Sequence, residues 1–285
     1  MHAQVRNSNW VFAPGVWLHF TPDTIVYIAM ADTVSLRNAC ISDTSGQFVL
    51  RADDHGIRNA LFETLEGGTP AALGWNVPAA NYLILPWQGD EGRYGVFINE
   101  RPPGSRAGFV QVDTDANNGA GIVVGGTTWY LENVTAKLTA TTDSASTGYW
   151  VLQHDEEGDA FRAFHFTAEG LDTTPVVSHQ GTSYLADVSP KENIDWYGQL
   201  NFNFQGDIVA AVKNGPSINT SKVELFHFNS QTGALQFMAD IGAIYCYGMN
   251  IPSGSLQALL QGVDFDLSGR YMYVIRHQQF LVHSI

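Results

Sequence analysis

Two stretches near the C-terminal end repeat one pattern, and this repeat limits the folds open to the chain more than any other feature. Residues 200–212 (LNFNFQGDIVAAV) are matched 63 residues later by residues 263–275 (VDFDLSGRYMYVI). Each copy reads as a strand, a tight turn at Gly206 or Gly269, and a second apolar strand. A second pair, residues 161–166 (FRAFHF) and 223–228 (VELFHF), recurs at an offset of 62. Two hairpin types at nearly one period mean a repeated sheet unit whose copies bury their apolar faces on each other, which is the logic of a β-propeller. Elsewhere apolar and polar residues alternate with period two between turn residues, the signature of an all-β chain.

The period divides the chain into blades. Blade one runs from Trp10 to about Arg58, and blade two holds residues 81–87, 94–98 and 108–112. Blade three holds residues 137–140, 149–153 and 161–166, blade four runs from Gln199 to Phe237, and blade five starts near Gly262. At this spacing the chain holds about 4.5–5 four-stranded blades, so the last blade is incomplete and leaves an unpaired edge. Either the first strands complete the last blade, or the chain is a fragment of a larger, seven-bladed propeller; the fragment reading is preferred. No Pro/Ser linker or charge block divides residues 1–285, so they read as a single domain. Residues 256–261 (LQALLQ) form the one short helical pattern.

The balance of charge excludes some functions. Fourteen basic residues face 28 acidic ones, a net charge of −14. Phosphate backbones and anionic membranes call for a positive surface, so nucleic acid is not an expected partner. No apolar run approaches the ~20 residues that span a bilayer, so no membrane insertion is expected. Cys40 and Cys246 read as two buried free thiols, with a disulfide joining first and last blades as the alternative.

Several stretches resemble a known family. Asn9-Trp-Val-Phe12, Ile41-Ser-Asp-Thr-Ser-Gly46, the turn at residues 112–121, the pair Lys137-Leu-Thr-Ala-Thr141 and Gly148-Tyr-Trp-Val151, and residues 223–228 with Thr232-Gly233 occur in this order. Together they are similar to the propeller-like region that opens large secreted surface proteins of gliding Bacteroidota, ahead of PKD-type repeats and a C-terminal sorting domain. The chain departs from that pattern at Arg51-Ala-Asp-Asp-His-Gly56, where the family has an aromatic-Thr-Asp-Gly strand end. The resemblance implies a secreted or cell-surface part of a longer multidomain protein, with no catalytic residues to carry over. The opening Met1-His-Ala-Gln4 looks like the tail of a cleaved signal segment.

Candidate sites are few. Asp113, Asp115 and Asn117 place oxygen side chains at alternate positions, as a Ca2+ loop does, but the glycine an EF-hand needs at position six stands at seven, as Gly119, and Val124 stands where it needs Glu. A plain Asx turn is therefore preferred, and no cofactor is expected. Residues 154–159 (HDEEGD) form the densest acidic stretch, read as a solvated hairpin turn rather than an acid–base pair. Asp53, Asp54, His55 and Asp195 fall near strand ends, where a propeller hydrolase would gather its acids. His165 and His227 hold equivalent places in the repeated Phe-His-Phe, which favours structural roles. Most of the seven tryptophans suit packing between blades, while Trp75 and Trp87 lie among prolines and glycines and are expected to be exposed binding residues. The preferred reading is a non-enzymatic secreted or surface propeller that binds a protein or glycan partner through its loops. The alternative is a hydrolase or lyase acting on a carbohydrate or lactone at the central channel.

Overall fold

A computed structural model describes residues 9–12, 15–21, 23–29, 34–35, 37–77, 81–100, 105–184, 198–214, 222–241, 260–276 and 279–284. Cys246, Asp195, Trp196 and the helical pattern at 256–259 lie outside them. The described residues form mainly antiparallel strands in six consecutive sheets, and the chain divides into two compact units, Met1–Glu132 and Asn133–Ile285.

The first unit holds three sheets. β1 (Asn9–Phe12), β2 (Val16–Phe20) and β3 (Ile25–Ala29) form the first, and β4 (Asn38–Ser42), β5 (Phe48–Asp53) and β6 (Gly56–Arg58) the second. β7 (Asn81–Pro86), β8 (Arg93–Asn99), β9 (Arg106–Asp113) and β10 (Ile122–Glu132) form a four-stranded third. Each is a meander of sequence neighbours, the strand order of a propeller blade. The stretch 10–58, read from sequence as one blade, thus makes two sheets. Its four hairpins do not share one ladder: among the described residues β3 pairs with β2 and β4 with β5, and no pairing joins β3 to β4. The sheets stack by their apolar faces. Val11 and Trp17 of the first meet Phe48 and Cys40 of the second, while Ile41, Leu50 and Ala52 on the second meet Tyr82, Ile84 and Val96 on the third.

The second unit repeats the plan. β11 (Val134–Thr142), β12 (Gly148–Asp155) and β13 (Gly158–Thr167) carry on their far edge the short β14 (Gly170–Leu171) and the longer β15 (Val176–Tyr184). β16 (Leu200–Phe202), β17 (Ile208–Lys213), β18 (Lys222–Asn229) and β19 (Ala234–Ile241) make a four-stranded meander. β20 (Leu260–Phe265), β21 (Tyr271–Arg276) and β22 (Gln279–Ser284) make the last. The continuous apolar run of β17 has a direct cause. Val209 and Ala211 face the sheet before it, in a cluster with Trp150, Phe161 and Phe226. Ala210 and Val212 face the sheet after it, against Val263, Met272 and Val274. A strand covered on both faces has no place for an alternating polar residue.

The repeat seen in sequence is a repeated turn. In four sheets an Asp or Asn closes the hairpin between first and second strands. The amides of Gly46, Ser146, Gly206 and Gly269 return to the carbonyls of Asp43, Asp143, Asn203 and Asp266. The side chain of each Asx residue accepts further backbone amides, from Ser45 and Gln47, Thr147, Asp207 and Ile208, and Ser268 and Tyr271 respectively. The fourth residue is left-handed in every case, with φ of 87°, 55°, 75° and 69°. Glycine is the residue for that conformation, and Ser146 is the exception. Burial works against ionisation of Asp43 and Asp143, but these hydrogen bonds outweigh it and hold both carboxyls below their ordinary range.

Candidate binding surfaces

Trp75 is not the exposed residue that its Pro/Gly surroundings suggest. A one-turn helix, α1 (Pro70–Leu73), is capped by the Thr69 hydroxyl and ends on left-handed Gly74. This turn lays Leu73 and Trp75 onto the core of the first unit. Trp75 is only 6% exposed, its Nε1 donates to Thr127 Oγ1 at 3.0 Å, and its ring lies 5.6 Å from that of Tyr82. Trp87 is half-buried at the end of β7, its ring 6.2 Å from Phe109. The loop hypothesis failed at Trp75 because a loop sealed by a helix turn can pack as tightly as a strand.

The loop at Asp113 is built as a turn. Asp113 Oδ1 accepts the amides of Asp115 and Ala116, both at 3.0 Å, and Thr114 Oγ1 donates to the Gly92 carbonyl. Asp115 lies against Gly92, where an added Cβ would clash with its carboxylate. Asn117 and Asn118 are both left-handed, and Asn117 Nδ2 reaches Glu66 Oε2 at 3.5 Å. Asp113 Oδ1 thus closes the turn on the backbone, as an Asx turn does. Among the described residues no group of three or more His, Cys, Asp or Glu side chains could hold a metal ion.

The other acids are held in structural bonds. Buried Asp53 pairs with buried Arg51 at 3.2 Å. Asp54 accepts from Ser35 Oγ at 2.5 Å and from Tyr82 OH at 2.9 Å. Burial, and then the charge of Asp54, push the Tyr82 hydroxyl far above its ordinary range. His55, beside them, is exposed. Cys40 is a free thiol, pushed up to about 11 by burial, with Sγ 3.1 Å from the Asn9 carbonyl.

His154 also departs from the sequence reading. The turn after β12 is only Glu156 and Glu157, and His154 lies inside, 1% exposed. Its ring stacks on Tyr184 at 4.0 Å, and its Nδ1 lies 2.6 Å from the Asp155 carbonyl. The ammonium groups of Lys137 and Lys213 sit 4.6 and 4.3 Å from the centroid of the same tyrosine ring. Lys213 Nζ donates to the carbonyls of Ser183 at 2.6 Å and Thr182 at 3.3 Å. Burial, then Lys137, push the His154 imidazole down to about 3. Asp155, outside this cluster, takes a two-pronged contact from Arg162 at 2.6 and 2.8 Å.

Two surfaces escaped the sequence reading. The first is the outer face of the β1–β3 sheet. The register pairs Trp10 with Leu18 and Leu18 with Tyr27; Phe12 with Val16; and Phe20 with Ile25. Residues paired across a ladder point to one side, so all seven share one face. Trp10 is 50%, Phe12 43%, Ile25 58% and Tyr27 65% exposed. Trp10 packs on Phe20 and Phe12 at 5.2 and 6.1 Å. The opposite face carries Asn9, which clips the sheet to its neighbour. Its Nδ2 donates to Ser42 Oγ and the Gly46 carbonyl, and its Oδ1 accepts from Trp17 Nε1 and His19 Nδ1. The signal in the sequence is that β3 (IVYIA) is apolar in both phases of the alternation, and β2 (VWLHF) in all but His19.

The second surface is an open groove of about 740 Å³ in the second unit, lined by His227, Asn229, Gln231, Gln236 and Ser144, with Leu235 and Phe228 also in its lining. Its walls are pinned. The Ser230 carbonyl accepts from Trp150 Nε1 at 2.8 Å and from the Ser144 amide at 3.1 Å. Gly233 lies against the Trp150 ring, where a Cβ would come within 2.7 Å. The two repeat histidines therefore differ. His165 bonds Asp143 at 3.0 Å and stacks on Trp150 at 4.4 Å, while His227 faces the groove.

No family model and no curated protein matches the chain. Among solved structures it is similar to a 6-phosphogluconolactonase-like protein from Bacteroides uniformis, at 13% identity over 71% of this chain and 66% of that one, with a TM-score of 0.38. A second such protein, from Bacteroides fragilis, is 11% identical over 98% of this chain and 91% of its own, with a TM-score of 0.44. The C-terminal WD40 domain of Sif2 is 10% identical over 95% of this chain and 76% of its own, with a TM-score of 0.42. The chain thus spans just under two thirds of the first of these, and likenesses of this degree say nothing about the chemistry of a site.

Proposed function

We propose that the protein is a non-enzymatic module that docks onto a partner protein through the outer face of its first sheet. The observation that carries this reading is that face itself, seven apolar side chains of which Trp10, Phe12, Ile25 and Tyr27 are the most open. A contiguous aromatic patch of this kind is costly to leave in water and marks an interaction surface. The chemistry selects a protein over a glycan here. A sugar needs hydrogen-bonding groups around its aromatic platform, and this face offers only the indole N–H and one phenol. The occupant is a flat apolar surface such as another β-sheet, since the inner face of this sheet already stacks on a sheet in the same way. Of the acids read at strand ends as a hydrolase would place them, Asp53 and Asp54 hold structural bonds instead, and Asp195 lies outside the described residues. The exported setting implied by the sequence resemblance belongs to the same proposal.

The test is photo-crosslinking in cells that make the protein naturally, with benzoylphenylalanine in place of Tyr27. A discrete protein adduct is expected, weakened roughly tenfold by Trp10→Ser with Ile25→Ser, as for loss of a central anchor. The identity of the adduct also reports the compartment. Absence of a protein adduct, or an adduct indifferent to both substitutions, would sink the proposal.

A further inference from the structure

We propose that the groove between the turn after β11 and the β18–β19 hairpin binds an uncharged oligosaccharide. His227 and Gln236 are direct partners across the β18–β19 ladder, so their side chains rise side by side on one face. The next pair, Phe228 and Leu235, points to the other face of the sheet and is 5% exposed at both positions, which anchors the hairpin in the core cluster with Trp150 and Phe226. Asn229, Gln231 and Ser144 complete the polar rim. Among the described residues no hydrogen bond engages the side chains of His227, Gln236, Gln231 or Ser144. Asn229 uses only its Oδ1, to close the hairpin on the amides of Gln231 and Thr232.

The ligand class follows from this lining. Carboxamides, a hydroxyl and an imidazole donate and accept at short spacing, as sugar hydroxyls do. No Asp, Glu, Lys or Arg lines the groove, so it offers no partner for a charged group. In a chain of net charge −14, an anion would also meet repulsion. An extended peptide would add to the edge of β19, but that edge is taken. Ser178 Oγ accepts the Leu235 amide and Gln180 Oε1 accepts the Phe237 amide, both at 3.0 Å. The volume, about 740 Å³, lies in the range of roughly 300–1,000 Å³ usual for small-molecule sites. The pinned carbonyl of Ser230 and the tight seat of Gly233 on Trp150 hold the rim in place before any ligand arrives, which lowers the ordering cost of binding. The site does not depend on the docking face of the first unit, and either can fail without the other.

Titration calorimetry with cellotetraose, xylotetraose, maltotetraose and chitotetraose, beside tetragalacturonate as the charged control, tests the inference. At least one neutral tetrasaccharide should bind. His227→Ala and Gln236→Ala should each weaken it roughly 3–10-fold, the worth of one hydrogen bond. Both positions are exposed, so neither change should disturb folding. Glu169→Gln, on the exposed turn after β13, should leave the affinity unchanged. The inference is overturned if none of the four neutral sugars binds at millimolar concentration. It is also overturned if binding survives both substitutions intact, or if tetragalacturonate binds as well as the best neutral sugar.

Discussion

At His154 a side chain that looks like part of an acidic surface loop is a neutral core residue. It stacks on Tyr184 with Lys137 and Lys213 close by, and burial and those two charges push its imidazole down to about 3. The folded state therefore refuses a proton that the unfolded chain accepts at about pH 6.5. The unfolded state binds more protons between these limits, so stability is full above about pH 6.5 and falls as the pH drops toward 3. One proton sets the limit of the slope at roughly 1.4 kcal/mol per pH unit. Urea unfolding from pH 7 to 4 should show this decline, and His154→Gln should flatten it; an unchanged slope would count against a buried neutral imidazole. Asp43 and Asp143 act in the same sense at lower pH. Their carboxyls are held below the ordinary range, so their contribution is lost only as the pH falls below about 4.

Among the elements, β15 does something a blade edge does not usually do. It pairs with β13 through its backbone, yet it covers the edge of β19 through side chains on one of its faces. Ser178 and Gln180 take the amides of Leu235 and Phe237, and the next residue in phase, Thr182, bonds Glu224 on β18 through its hydroxyl at 2.5 Å. An exposed edge strand recruits other strands, and this one is closed by alternate polar side chains. Ser178→Ala with Gln180→Ala should cost about 1–3 kcal/mol in global stability. It should also speed hydrogen exchange at the Leu235 and Phe237 amides more than elsewhere in β19. Uniform acceleration along the strand would mean that the side-chain caps do not protect the edge.

For the molecule as a whole, the exposed face of the first sheet should govern how the protein behaves in solution. Trp10→Ser with Tyr27→Ser removes aromatic surface that touches little of the core. Binding of bis-ANS should fall by more than half, while thermal stability stays within about 0.5 kcal/mol of the parent, as for surface positions. A large loss of stability with no change in dye binding would show that the face is covered rather than open. Much of the architecture was legible from residues alone. The Asx-x-x-Gly turns at Asn203 and Asp266, the alternation in β13 and β18 and the unbroken apolar run of β17 are local patterns, because turn chemistry and strand faces are decided within a few residues. Hence the strands read from sequence in the last four sheets sit where they were expected. What the chain could not reveal locally was which surfaces meet. Trp75 and His154 are buried, and the Phe-His-Phe histidines part ways, one onto Asp143 and Trp150 and the other into a groove. Period two assigns a side chain to a face of its strand, but only the stacking of sheets distant in sequence decides whether that face meets protein or water.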